Sequence, residues 1–141
     1  MDFKKNILPS LSLPVIGAPM FLISTPKLVI AQCQSGIIGT FPSLNARSPA
    51  QLKAWIQEIK AACQNTPPFG INLVAISSNK RLEQDLAICI EEKVPLIITS
   101  MQAPQEMAQA IHAYGGYHFH DVINLRHAKK AIDAGVDGLI L

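Results

Sequence analysis

Three groups of residues have the types and spacing to do chemistry. The first is Leu13-Pro14-Val15-Ile16-Gly17-Ala18-Pro19-Met20, an apolar run ending in small residues, with Ser24-Thr25-Pro26 behind it. A strand that delivers so bare a loop lets a flat heterocycle lie against backbone. Ala18, Pro19 and Met20 could then offer N–H and C=O groups to its polar edge, with Met20 on its face. An ordinary strand-to-helix turn reads the same way. The second is Asn72, a lone amide in the apolar stretch Phe69 to Ala75. A buried amide must find partners, on a cofactor or on a neighbouring backbone. The third is His118, His120 and Asp121. In a strand the two histidines share one face and Asp121 takes the other. His-x-His is also metal spacing, but no third ligand is evident and no metal is expected. One histidine could donate to an anionic cofactor, or be a satisfied core residue. His112 and His127 fall on helices and read as surface.

Other chemistries lack their motifs. The sequence has no GxGxxG, no GxxxxGK[ST] and no GxSxG, so a Rossmann dinucleotide site, a phosphate loop and a serine-hydrolase elbow find no support. With a net charge of +2 and no clustered Lys and Arg patch, nucleic-acid binding is not expected. Lys4-Lys5 and Arg126 to Lys130 read as solvated helix faces. Cys33, Cys63 and Cys89 are odd in number and far apart, which predicts reduced thiols on helices in a cytoplasmic protein. Pro9 interrupts the only leader-like stretch, and no apolar run approaches the ~20 residues of a membrane span.

The elements that must position these residues alternate. The 141 residues, 49% hydrophobic and 16% charged, suit one core-rich domain over 1–141. Strands are expected at 13–17, 36–40, 69–74, 94–99, 117–123 and 136–141. Between them lie helices with start and stop signals. Thr25-Pro26 and Ser48-Pro49 are caps with proline at the first helical position, Ser77 or Ser78 caps the third helix, Pro104 opens the fourth and Asn124 caps the fifth. Gly36, Gly115-Gly116 and Gly135 close three of them. Strands apolar on both faces call for a parallel sheet covered by helices. An open doubly wound sheet and a (β/α)8 barrel both fit. In either, ligands meet the carboxyl ends of the strands: Ala18 to Met20, Thr40 to Pro42, Asn72, Thr99-Ser100 and His118 to Asp121.

Four segments in order carry a resemblance: Pro14 to Met20, Ser24-Thr25-Pro26-Lys27-Leu28 into Gly36-Ile37-Ile38-Gly39, Pro68 to Leu73, and Ala134 to Ile140. The chain resembles the nitronate monooxygenase (2-nitropropane dioxygenase) family of FMN-dependent TIM-barrel enzymes. The resemblance implies a parallel (β/α)8 barrel of which about the first five to six units are present. It also implies FMN as cofactor, and oxidation of alkyl nitronates with O2 to a carbonyl compound and nitrite. It places Ala18, Pro19 and Met20 against the flavin, Asn72 in hydrogen bond with it, and His120 facing it. The family's catalytic histidine follows the sixth strand in a Gly-Gly-His segment, so no catalytic residue is assigned before Leu141. The related flavin-dependent enoyl-ACP reductases share the same front-end motifs and stand as an alternative. A third reading is an inactive part-barrel that self-associates through its open sheet edges.

Overall fold

The computed structural model describes residues 2–102 and 105–141. Pro104, expected to open a helix, lies outside them. Five strands alternate with helices: β1 (Thr40–Pro42), β2 (Gly70–Val74), β3 (Leu96–Ser100), β4 (Tyr117–Asp121) and β5 (Gly138–Ile140). The helices are α1 (Phe3–Asn6), α2 (Pro26–Gln34), α3 (Pro49–Ala62), α4 (Leu82–Glu91), α5 (Gln105–Ala113) and α6 (Leu125–Asp133). The strands run parallel in the order of the chain, β1-β2-β3-β4-β5.

That order, and where the helices pack, decide between the two expected architectures. On one face Phe41, Ile71, Leu73 and Ile97 pack against Val29 and Cys33 of α2, Leu52, Ile56 and Ile59 of α3, Cys89 of α4, and Met107 and Ile111 of α5. The other face carries Ile38, Leu96, Ile98 and Tyr117, with Ile16, Phe119 and Ile140 beside them. Helices that cover one face of a sequentially ordered parallel sheet are the geometry of a barrel wall. A doubly wound sheet would put helices on both faces and reverse the strand order at a switch point. The protein is therefore part of a (β/α)8-type barrel. At the amino ends of the strands, α1 closes the inner face: Phe3 stacks edge-on against Tyr117 at 5.1 Å, and Asn6 donates to the Tyr117 hydroxyl at 2.9 Å.

The expected first strand shrinks to a single parallel bridge between Ile16 and Ile38. Gly17 N–H donates to the Ile38 carbonyl and Ile38 N–H to that of Val15. Val15 N–H, the next donor on that side, turns back to the Leu13 carbonyl, the Gly36 carbonyl accepts from Ser12 N–H, and Leu13 and Val15 are exposed. The expected second strand moves to 40–42, and the last spans only 138–140. Ser48 and Asn124 do cap α3 and α6, accepting from the N–H groups of Gln51 and His127. Thr25 occupies the cap position of α2 with Pro26 behind it, but its side chain makes no cap bond. Neither Ser77 nor Ser78 caps α4. Asn79 shapes that turn instead, accepting from Arg81 N–H and donating to the Val74 carbonyl. Gly36, Gly115 and Gly135 close their helices at φ of 85°, 89° and 87°.

Gly39 marks where α2 presses closest on the sheet. A Cβ there would stand 2.6 Å from the Val29 carbonyl oxygen. Backbone cannot yield as a flexible side chain does, so Gly39→Ala is expected to destabilise the protein by about 1–3 kcal/mol. A urea midpoint unchanged from the parent would contradict this packing.

Candidate functional site

The inner face forms an apolar pocket of about 340 Å³, lined by Ile16, Ala18, Pro19, Ile98, Phe119, Leu139 and Ile140. Ile16 belongs to the first edge of the sheet and Ile140 to the last, so the sheet curls to bring them to one cavity. The volume lies in the range of small-molecule and cofactor sites. Register places Asn72 on this same face, directly opposite Ile98.

Asn72 is nearly buried, and its hydrogen bonds fix which way the amide points. Nδ2 donates to the Ile98 carbonyl at 3.2 Å and to Ser100 Oγ at 2.8 Å. A carbonyl only accepts, so the NH₂ must face it. The amide oxygen then carries no hydrogen bond among the described residues, and it is not sealed from water. An accepting oxygen held in place beside an apolar pocket suits a ring N–H of a flat heterocycle. The residues present thus fit the ring of a flavin: apolar walls for its faces and one fixed acceptor for its edge.

Ala18 and Pro19 line the pocket. Met20, 37% exposed, does not line it. The loop is held from below. Ser24 Oγ accepts from Met20 N–H at 2.9 Å, Thr40 Oγ1 donates to the Gly17 carbonyl, and Asn45 reaches across from the turn after β1. Ser24 and Thr40 stand in stretches that the sequence already singles out. Asn45 escapes a reading by motif, because its partners lie up to 25 residues away.

His120 does not join this group. It pairs in register with Thr99, and His118 with Ile97, whose side chain packs among the helices. Both histidines therefore sit on the helix-facing side of the sheet, opposite Asn72. There they converge on one hydroxyl: Thr99 Oγ1 lies 2.7 Å from His118 Nε2 and 2.7 Å from His120 Nδ1. A hydroxyl has one proton, so it donates to one ring and accepts from the other. The resemblance implies that His120 faces the flavin; the strand register places it on the face opposite Asn72. Among the described residues no group of three His, Cys, Asp or Glu could hold a metal ion. His112, read as surface, is exposed and lies 2.8 Å from Asp137, whose carboxylate also accepts from His118 N–H.

The histidine cluster gives the protein a defined acid response. Burial pushes His118 down from 6.5 to about 4, with the neighbouring His120 adding to the effect, and burial lowers His120 as well. Between about pH 6.5 and 4 the unfolded chain binds a proton that folded His118 refuses. Stability is therefore full above pH 6.5 and declines as pH falls toward 4. The thermal midpoint is expected to be lower at pH 5 than at pH 7.5, and a level midpoint across that window would contradict the assignment.

The cysteines are free thiols, two of them buried. Burial raises Cys33 to about 11 and raises Cys89 too, so both stay protonated and inert. Among the described residues no helix is long and apolar enough to cross a membrane.

No family model matches the chain. It is 27% identical over 128 residues to the 5-hydroxy-7a-methyl-1-oxo-octahydro-1H-indene-4-carboxyl-CoA dehydrogenase of Rhodococcus jostii, covering 91% of this chain and 35% of that protein. Among solved structures it is similar to FabK from Thermotoga maritima, with a TM-score of 0.84, 24% identity, and coverage of 99% of this chain and 43% of that one. It is also similar to the nitroalkane oxidase of Streptomyces ansochromogenes, with a TM-score of 0.81, 16% identity, and coverage of 93% and 46%. The chain thus spans about a third of the curated relative it matches, and under half of these solved chains. At these identities the structural likeness shows the fold, a part-barrel shared with both.

Proposed function

We propose that the chain supplies the flavin-ring-binding part of a barrel oxidoreductase, with FMN as cofactor and an alkyl nitronate and O2 as substrates. One observation carries the reading above the others: the Asn72 amide oxygen, oriented by Ile98 and Ser100 and bonded to none of the described residues, stands beside an apolar pocket that Ala18 and Pro19 wall. The nitroalkane oxidase among the structural neighbours supports the substrate class.

In this reading Ala18 and Pro19 lie along one face of the ring. Ile98 and Phe119 exclude water from the other side of the cavity, and Asn72 accepts from a ring N–H. Bound there, FMN would supply the electron acceptor for the substrate carbon and the donor to O2. No residue of this chain is assigned to proton transfer or to the phosphate.

A second reading keeps the site and changes the substrate to a coenzyme A or carrier-protein thioester. The name of the R. jostii relative, a carboxyl-CoA dehydrogenase, favours it. Both make the purified full-length protein yellow. Oxygen uptake on adding propyl nitronate supports the first. Absence of uptake, with turnover of an enoyl thioester and a nicotinamide cofactor, would replace it with the second. A colourless protein that FMN does not restore would remove both.

A further inference from the structure

We propose that Met20-Phe21-Leu22-Ile23 forms an apolar lip that takes the hydrocarbon body of the substrate, and that Asn45 is the positioning residue that holds it. The proposal rests on the flavin-site reading above. Phe21, Leu22 and Ile23 are 66%, 75% and 63% exposed, three consecutive apolar side chains that the part of the barrel spanned here leaves uncovered. An exposed loop would ordinarily relax to hide them. This one is held in place. Asn45 Oδ1 accepts from Leu22 N–H at 3.0 Å, and its Nδ2 donates to the carbonyls of Met20 at 3.0 Å and Ser24 at 2.9 Å. Leu22 sits at a φ of 63°, a conformation that a leucine adopts only when its surroundings impose it. One amide thus spends its side-chain bonding on keeping an apolar turn displayed.

The place of the lip indicates its occupant. It continues directly from Ala18 and Pro19, which line the pocket, so a ligand whose reacting end lies in the pocket would trail across it. A second copy of the chain is a poor match, because four side chains supply far less than the ~800 Å² per partner of a stable interface. A lipid surface is also a poor match, because residues 18–27 carry one cation, Lys27, where interfacial segments are rich in them.

The test uses the full-length flavin-loaded protein and n-alkyl carboxylates of three to nine carbons, whose flat anionic head resembles a nitronate. Binding is followed calorimetrically. The dissociation constant is expected to fall by about two- to fourfold per added methylene over several carbons. In F21S/L22S/I23S that trend should vanish, with flavin content and affinity for the shortest probe unchanged. Asn45→Ala should weaken the trend without loss of flavin, whereas a merely structural role would lower affinity for every probe alike. A trend equally steep in the triple variant, or none in the parent protein, would overturn the proposal. So would an oligomer that the triple variant turns into monomer without changing the trend, because the lip would then join copies. A protein that binds no flavin yet keeps the trend would remove the flavin reading and leave the lip standing.

Discussion

Replacing Arg81 by methionine is expected to cost about 3–5 kcal/mol of stability, the penalty of leaving a buried charge without its partner. Asp85 is fully buried on α4, and its Oδ1 accepts from Arg81 Nη2 at 2.9 Å. Its other oxygen is sealed from water with no partner among the described residues. Methionine keeps much of the arginine's stem but not its charge, so the carboxylate would be stranded. The double variant R81M/D85L, which removes both charges, should recover most of the loss, because an apolar pair of similar volume is often as stable as a buried ion pair. Denaturant midpoints of the two variants test this. An Arg81→Met protein within about 1 kcal/mol of the parent would mean that the pair behaves like a surface contact. The consequence reaches the site, because Arg81 Nη1 also donates to the Ala46 carbonyl at 2.7 Å, next to Asn45. Loss of Arg81 should therefore loosen the turn that holds the Met20–Ile23 lip.

The second large effect is on cofactor affinity. In the proposed function, Asn72→Leu removes a fixed acceptor beside the pocket and would face the ring N–H with a methyl group. Leaving a buried donor unsatisfied costs about 1–3 kcal/mol, which corresponds to about a 5- to 150-fold rise in the FMN dissociation constant. The same change also removes the Nδ2 bonds to Ile98 and Ser100, so a stability control is needed. Ser100→Ala breaks one of those bonds and leaves the amide oxygen in place. It should therefore retain FMN far better than Asn72→Leu. Fluorescence titration of FMN into the stripped protein measures both. Equal affinities for the parent and Asn72→Leu would remove Asn72 from the site.

Much of this architecture is legible in the sequence, because its signals are local. Ser48 and Asn124 announce helix starts through cap bonds to residues three positions on. Gly36, Gly115 and Gly135 announce helix ends because their left-handed backbone excludes most side chains. Apolar strands on both faces announce a covered parallel sheet. What is not legible depends on phase and on distant partners. The His-x-His spacing shows that His118 and His120 share a face, but not which face. A strand buried on both sides has no polar alternation to mark its inner surface. Only the pairing of His118 with Ile97 turns them toward the helices. Asn72 carried the same ambiguity, and the pairing with Ile98 turns it toward the pocket. Asn45 gave no signal because an asparagine in a turn is commonplace, and its partners lie 21 to 25 residues earlier in the chain. The first strand shrank because Val15 N–H turns back to the Leu13 carbonyl, a local bond that an apolar pattern does not announce.

In the proposed function the inner face of the barrel wall, and not the helix-facing histidine cluster, receives the flavin ring. A crystal structure of the full-length protein with FMN bound tests it most directly. The ring is expected between Ala18-Pro19 and Ile98-Phe119, with the Asn72 amide oxygen about 3 Å from a ring nitrogen. A ring lodged beside His118, Thr99 and His120, or Asn72 turned away from the cofactor, would contradict it.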